Sequence, residues 1–322
     1  MAVIPISINN PPPQLRPLNI LRDLFAVADL IESCFASTLD EDGRRSVQQM
    51  RTSSQDNAFL RWAYKMADTV SLPLSGFVWE ENGEIIGNVS LIPYRHERKR
   101  YFLIANVAVR PEHRRRGIGR ALTLAAIQQA KAKNADEIWL HVRADNPGAI
   151  ALYTSLGFRE HARRTCWRVE RNAPLPLQGN RIISRRYSRD WPLQKEYLRR
   201  LYPPHLDWYQ PLPLHFFRPG LLPAIERVLL EEEVRHWVIR QGDDLAALTW
   251  RPYGSRDNLW AAVPPTGADD MLQALLLHAR RELINQRIRL SLDLPAGQYV
   301  EAIQSAGFYP HRTLIWMRWD ET

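Results

Sequence analysis

The sequence predicts an α/β chain made of two copies of one fold, and three observations carry that expectation. Strand-like and helix-like segments alternate along the 322 residues, a length that suits two domains of about 150 residues better than one. The second half also repeats the first. At a shift of 150, Gly117 falls on Gly267, Leu122 on Leu272, Ile138 on Ile288, Leu140 on Leu290 and Gly157-Phe158 on Gly307-Phe308. At a shift of 160, Phe77-Val78-Trp79 falls on Trp237-Val238-Ile239, each followed by a turn and another strand. The third observation is a basic, glycine-containing loop that joins a strand to a helix in the first copy only.

In that copy, residues 14–18 form the first strand. Asp23 is placed to cap a helix ending at Phe35, with Leu24, Val27, Leu30 and Ile31 on one face. Residues 43–67 form a second helical region. Residues 76–80 and 84–94 flank Glu81-Asn82-Gly83 as a hairpin. A strand at 102–109, a helix at 117–133, a strand at 137–142, a helix at 147–156 and a closing strand at 165–170 complete the copy. Residues 172–180, with Pro174, Pro176 and Gly179, form a linker. The second copy repeats the plan with strands at 181–187, 259–263, 287–293 and 313–319, a hairpin over 236–250, and helices at 192–201, 269–285 and 299–306. The expected domains are 14–171 and 180–322.

The loop runs Val107-Ala108-Val109-Arg110-Pro111-Glu112-His113-Arg114-Arg115-Arg116-Gly117-Ile118-Gly119-Arg120. A helix N-terminus offers free backbone N–H groups and a partial positive charge, which suit a pyrophosphate. Gly117 and Gly119, lacking Cβ atoms, let the backbone approach such an anion. The second copy loses these features. Arg114, Arg115 and Arg116 become Pro264, Pro265 and Thr266, while Gly119 and Arg120 become Asp269 and Asp270. Prolines remove donors and carboxylates repel phosphate. The second copy is therefore expected to bind no cofactor of its own.

Arg114, Gly117 and Gly119 fit an Arg-x-x-Gly-x-Gly/Ala pattern, and residues 146–158 fit Asn-x-x-Ala-x-x-Leu-Tyr-x-x-x-Gly-Phe through Asn146, Ala149, Leu152-Tyr153 and Gly157-Phe158. The two segments together resemble the GNAT family of acetyl-CoA-dependent N-acetyltransferases. The resemblance implies two tandem GNAT-like (acyl-CoA N-acyltransferase) domains, each a mixed sheet flanked by helices, with the second degenerate. It implies acetyl-CoA as cofactor and a primary amine, on a small molecule or a protein, as acceptor. Val107, Ala108 and Val109 would line a parted strand edge that binds the pantetheine arm, the Val109 N–H polarising the thioester. Arg114, Arg115, Arg116, Gly117, Ile118, Gly119 and Arg120 would hold the pyrophosphate. Tyr153 would be the general acid, because a phenol of pKa ~10 keeps its proton at neutral pH. His141 stands where many relatives carry Glu and would be the general base, or an ordinary strand histidine; Glu80 and Glu81 are alternatives. Asn146 would bond the pantetheine or cap a helix. Asp40-Glu41-Asp42 lies where the family often contacts the acceptor, or forms an exposed turn.

Composition narrows the other classes. Cys34 and Cys166 are the two cysteines, without CxxC spacing, so neither a disulfide framework nor a metal site is expected. No apolar run approaches a membrane span, and Ser7, Asn9 and Asn10 before Pro11-Pro12-Pro13 lack a signal-peptide pattern, so a cytoplasmic protein is expected. Net charge is +8, and five of the 43 basic residues are Lys. That balance attracts anionic ligands such as coenzyme A. His96-Glu97-Arg98-Lys99-Arg100 is expected to be a solvated turn rather than a nucleic-acid surface. A non-catalytic acyl-CoA sensor or scaffold is the alternative function.

Overall fold

The computed structural model describes residues 12–67, 69–169, 174–175, 182–231, 233–253, 256–283 and 289–321. The first half runs β1 (Leu15–Pro17), α1 (Ile20–Phe35), α2 (Glu41–Ser54), α3 (Asn57–Met66), β2 (Ser75–Glu81), β3 (Glu84–His96), β4 (Lys99–Val109), α4 (Ile118–Ala132), β5 (Glu137–Arg143), α5 (Pro147–Thr154) and β6 (Phe158–Arg168). The second half runs β7 (Ser184–Arg185), α6 (Trp191–Leu201), α7 (Leu214–Phe217), α8 (Leu221–Leu229), β8 (Arg235–Gln241), β9 (Asp244–Tyr253), β10 (Arg256–Ala262), α9 (Asp269–Glu282), β11 (Arg289–Pro295), α10 (Val300–Ser305) and β12 (Tyr309–Trp319). Among the described residues no helix is long and apolar enough to cross a membrane.

Contacts divide the chain into two compact units. Unit 1 holds the residues up to Val142, then Asn146–His161 and Trp316 onward; unit 2 holds Arg143–Asp145 and Ala162–Ile315. In unit 1, β1, β2, β3 and β4 pair antiparallel, and β5 joins parallel to β4. In unit 2, β7, β8, β9 and β10 pair antiparallel, β11 joins parallel to β10, and β6 lies antiparallel to β11. Each unit thus has a mixed sheet flanked by helices.

The units differ from the expected spans 14–171 and 180–322 at two strands. Residues 162–168 of β6 belong to unit 2, where Thr165 to Arg168 pair with Leu294 to Ser291. Residues 316–319 of β12 belong to unit 1. The closing strand expected at 165–170 therefore pairs with a strand of the other half of the sequence. Thr165-Cys166-Trp167-Arg168 and Ile315-Trp316-Met317-Arg318 both read as short strands ending in Arg, so local sequence does not say which sheet each joins. The linker expected at 172–180 lies mostly outside the described residues.

Local chemistry explains two further differences. Asn19, not Asp23, caps α1, its Oδ1 accepting the Leu21 N–H at 3.1 Å. Asp23 sits one turn in and is 2% exposed; it accepts the Asn19 N–H at 2.9 Å and the Arg16 guanidinium at 2.6 Å. Burial alone would raise its pKa, but bonds from Arg16, Asn19 and Arg22 outweigh it and hold the carboxyl below the usual range. The single helical region expected at 43–67 is two helices, because Asp56 starts α3 by accepting the Ala58 and Phe59 N–H groups.

One sheet face of unit 1 is covered by α1 and α2, whose Val27, Ala28, Leu30, Ile31 and Val47 pack on Val78, Ile85 and Ala108. α4 meets the sheet at Gly87. A Cβ there would lie 3.0 Å from Ile118 Cγ2 and Leu122 Cδ1, and 3.1 Å from Trp79 Cβ. The missing side chain lets α4 seat its N-terminal turn close to β3, and that seat positions the site. Gly87→Ala should therefore destabilise the protein by about 1–3 kcal/mol through overpacking. An unchanged midpoint in urea unfolding would show that α4 does not depend on this approach.

Candidate functional site

The site begins where two strands part. β4 and β5 pair from Tyr101↔Glu137 to Ile104↔Leu140 and no further. On its other side β4 stays with β3 to Gly87↔Val109, with a register shift between Asn88 and Ser90. Asn106 takes up the extra residue at φ +51°. Asn88 Nδ2 donates to the Asn106 carbonyl at 3.0 Å, and Asn106 Nδ2 donates to Ser90 Oγ at 3.2 Å. The Arg110 N–H donates to the Ile86 carbonyl at 2.9 Å. Because successive backbone groups of a strand alternate sides, Val109, and Val107 before it, present their N–H groups to the parted edge. Ala108 does not. Its backbone faces β3 opposite Asn88, and its methyl lies in the core beneath α1.

Just beyond β4 the basic loop turns into α4. Arg115 and Gly117 have φ of +64° and +80°, and Gly117 is the N-cap with no side chain capping the helix. The first helical bond runs from the Ala121 N–H to the Gly117 carbonyl at 3.0 Å, which leaves the N–H groups of Ile118, Gly119 and Arg120 ahead of it. A Cβ on Gly117 would meet nothing within 4 Å, so glycine is required there for its dihedral, and open space lies over the helix end. Gly119 is different from expectation. A Cβ there would make ordinary contacts, 3.5 Å from Leu152 Cδ2 and 3.9 Å from Val109 Cγ2. It brings Leu152, Val109 and α4 together but does not need to be glycine for the backbone's sake.

The arginines are more committed than the sequence suggested. Arg114 Nε donates to the Val109 carbonyl at 3.1 Å. Arg116 holds both oxygens of Glu81, at 2.9 and 3.2 Å, and lies 2.6 Å from His113 Nδ1. Arg120 donates to Ser155 Oγ at 3.0 Å, which ties α4 to the end of α5. Arg115 is exposed.

α5 starts at Asn146, whose Oδ1 accepts the Ala149 N–H at 3.1 Å; of the two readings for Asn146, the structure has the cap. Tyr153 on this helix is buried, its ring edge-on to Phe158 with centroids 6.0 Å apart. Burial pushes the phenol above its usual pKa, so it keeps its proton throughout the neutral range. His141 is the first residue of β5 after the last β4 pair, half-buried, with its ring 4.9 Å from that of Trp316. Trp316 comes from β12 near the chain's far end, and no local signal marks it. The other acids are engaged. Glu80 binds Arg16 and Arg22 at 2.6 and 3.1 Å, and the Glu81 carboxyl is held below its usual range by bonds from Trp79 and Arg116. Asp40 caps α2 by accepting the Gly43 N–H at 2.8 Å, and Asp42 pairs with Arg45 at 2.9 Å.

Unit 2 keeps the parted strands and fills them. β10 and β11 pair from Arg256↔Arg289 to Leu259↔Leu292, then separate. The Ala261 N–H on the freed edge donates to the Tyr202 hydroxyl at 3.1 Å. Arg200 donates to the Val263 carbonyl at 2.5 Å and the Tyr299 hydroxyl to the Pro264 carbonyl at 3.2 Å. The Arg164 guanidinium stacks 5.2 Å over the Tyr202 ring. Sequence comparison of the halves finds the lost loop but not these occupants. Asp269 and Asp270 form the first turn of α9, as their sequence position suggested.

Residues 36–158 match the model of the Acetyltransferase (GNAT) family. A stretch of 55 residues is 49% identical to the ribosomal protein bS18-alanine N-acetyltransferase of Escherichia coli K12, covering 17% of this chain and 37% of that protein. Over 90 residues the chain is 38% identical to a mycothiol acetyltransferase of Amycolatopsis mediterranei, covering 26% of this chain and 30% of that protein. The chain thus spans under half the length of either relative. Among solved structures, a GCN5-related N-acetyltransferase from Sphaerobacter thermophilus matches with a TM-score of 0.54 over 96% of both chains at 15% identity, a likeness of fold.

The two loop glycines separate by experiment. Gly117→Ala should cost about 1–2 kcal/mol, because the residue must sit at positive φ. Gly119→Ala, inside the helix and without a clash, should be neutral or slightly stabilising. Equal costs in denaturant titrations would refute the distinction.

Proposed function

We propose that this chain, which belongs to the acetyltransferase (GNAT) family through residues 36–158, moves an acetyl group from acetyl-CoA to a primary amine at a single site in unit 1. One observation carries the reading. In unit 1 the parted edge at Val107 and Val109 adjoins an uncapped helix N-terminus at Gly117, whereas the matching edge in unit 2 is taken by Tyr202 and Arg200.

The residues of unit 1 fit the cofactor. The open space over Gly117 and the N–H groups of Ile118, Gly119 and Arg120 suit a diphosphate, with Arg115 beside them. Val107 and Val109 offer backbone groups in strand geometry, which suit the amide-bearing arm of pantetheine. Bound acetyl-CoA supplies the activated acetyl thioester. The Val109 N–H is set to polarise the carbonyl oxygen, as an oxyanion donor does. His141, at the mouth of the split, accepts the proton of the incoming amine. Tyr153 holds a proton that it can give to the departing sulfur, and burial keeps that proton in place. The relatives' names mention a ribosomal-protein alanine and mycothiol, so an amine acceptor is the shared chemistry, and its identity is left to the assay.

Calorimetry with acetyl-CoA should give one site per chain, lost in Gly117→Glu and kept in Asp269→Ala. The reverse pattern would move the site to unit 2 and overturn the proposal. Tight binding with no transfer to a broad panel of amines would favour a sensor or scaffold instead. Tyr153→Phe should lower kcat by about a hundredfold, the usual size of a general-acid contribution, with acetyl-CoA affinity changed less than about threefold. A loss confined to affinity would remove Tyr153 from the proton transfer.

A further inference from the structure

We propose that the tip of the β2–β3 hairpin positions the phosphate loop, with Glu81 as the residue that keeps the loop bent for its ligand. The hairpin grips both ends of the loop. Glu84 Oε1 lies 2.5 Å from Arg110 Nη2 at the start, and Glu81 takes Arg116 in a two-pronged bond of 2.9 and 3.2 Å at the end. Trp79 fixes the anchor from its own strand, its Nε1 donating to Glu81 Oε1 at 2.9 Å. His113, at 2.6 Å from Arg116 Nη1, joins the start of the loop to the same guanidinium.

What the anchor holds is a strained backbone. Arg116 stands between Arg115 at φ +64° and Gly117 at φ +80°. Glycine tolerates that region, but arginine enters it at a cost and stays only when its surroundings impose it. No side chain caps α4, so the bend has no support from that quarter. The guanidinium of the next residue, tied to a separate element of the sheet, supplies the restraint. With the bend in place, the amides of Ile118, Gly119 and Arg120 are gathered before any anion arrives, which lowers the ordering cost of binding. The pair is partly exposed, with 49% of the Arg116 side chain and 21% of Glu81 accessible, so its effect is modest. Charge alone would give Glu81 the opposite role, competition with phosphate for Arg116. The two roles predict opposite signs.

The ligand part of this inference rests on the acetyl-CoA reading, and the loop part stands without it. The first measurement is amide hydrogen exchange in the free protein. Glu81→Gln should speed exchange at Arg114 and Ala121, whose N–H bonds to the Pro111 and Gly117 carbonyls bracket the loop. Unchanged exchange sinks the proposal whatever the ligand. The second is coenzyme A affinity by calorimetry, with KM for acetyl-CoA and kcat alongside. Glu81→Gln should weaken binding about three- to tenfold, the scale of a partly exposed charge-assisted pair, and the loss should fall on KM rather than kcat. In the Arg115→Gly background, where the backbone no longer resists the bend, Glu81→Gln should cost less than about twofold. Tighter binding in Glu81→Gln would establish competition and overturn the proposal, as would an equal loss in both backgrounds. Faster exchange in a protein whose wild type binds no coenzyme A would uphold the clamp and refute the function assigned to unit 1.

Discussion

Everything at the site depends on β4 leaving β5 after Ile104 and Leu140. A strand edge is a row of donors and acceptors, and each must find a partner or water. In unit 1 the row is kept by two devices. The bulge at Asn106, bonded to Asn88 and Ser90 within the sheet, holds β4 on β3 while its register shifts. The approach of α4 over Gly87 then brings an uncapped helix end next to that edge. A pair of hydrogen-bonding rows and a set of free amides thus converge without any catalytic side chain being needed to build them.

The two units treat the same kind of strand opening differently. Both part the same two strands, β4 from β5 and β10 from β11. In unit 1 the freed edge meets its own loop where Arg114 donates to the Val109 carbonyl. In unit 2 the half-buried Tyr202 phenol sits on the Ala261 N–H and Arg200 on the Val263 carbonyl. Tyr202 packs against the core of unit 2, with the Arg164 guanidinium over its ring. Carboxylates at the start of α9 suit the helix dipole.

Much of this was legible beforehand. The hairpin turn at Asn82-Gly83 forms at φ +51° and +80°, as its residue types require. The strand, loop and helix of residues 107–120 are where the pattern put them, because each is set by neighbours within a few positions. Two physical causes set the structure apart from its local sequence pattern. Asp23 looked like a cap, since caps are read from residue type, but Asn19 reached the free amides first and Asp23 went to Arg16. The other cause is distance along the chain. Arg116 finds Glu81 across 35 positions, Ala261 finds Tyr202 across 59, and His141 meets Trp316 from the last strand. No local window contains both members of those pairs.

The sequence by itself determined the two-copy plan, most of its strands and helices, the loss of the basic, glycine-containing loop from the second copy and the residues that could bear chemistry in the first. These are local matters of periodicity, turn chemistry and charge. Only the tertiary structure decided which strands close which sheet, that Ala108 packs while Val107 and Val109 face the split, that Asn146 is a cap, and that the loop arginines are already engaged. The physical reason is that a strand's pattern specifies a face but not a neighbour, and a charge specifies a sign but not a partner. Both are settled when distant segments pack.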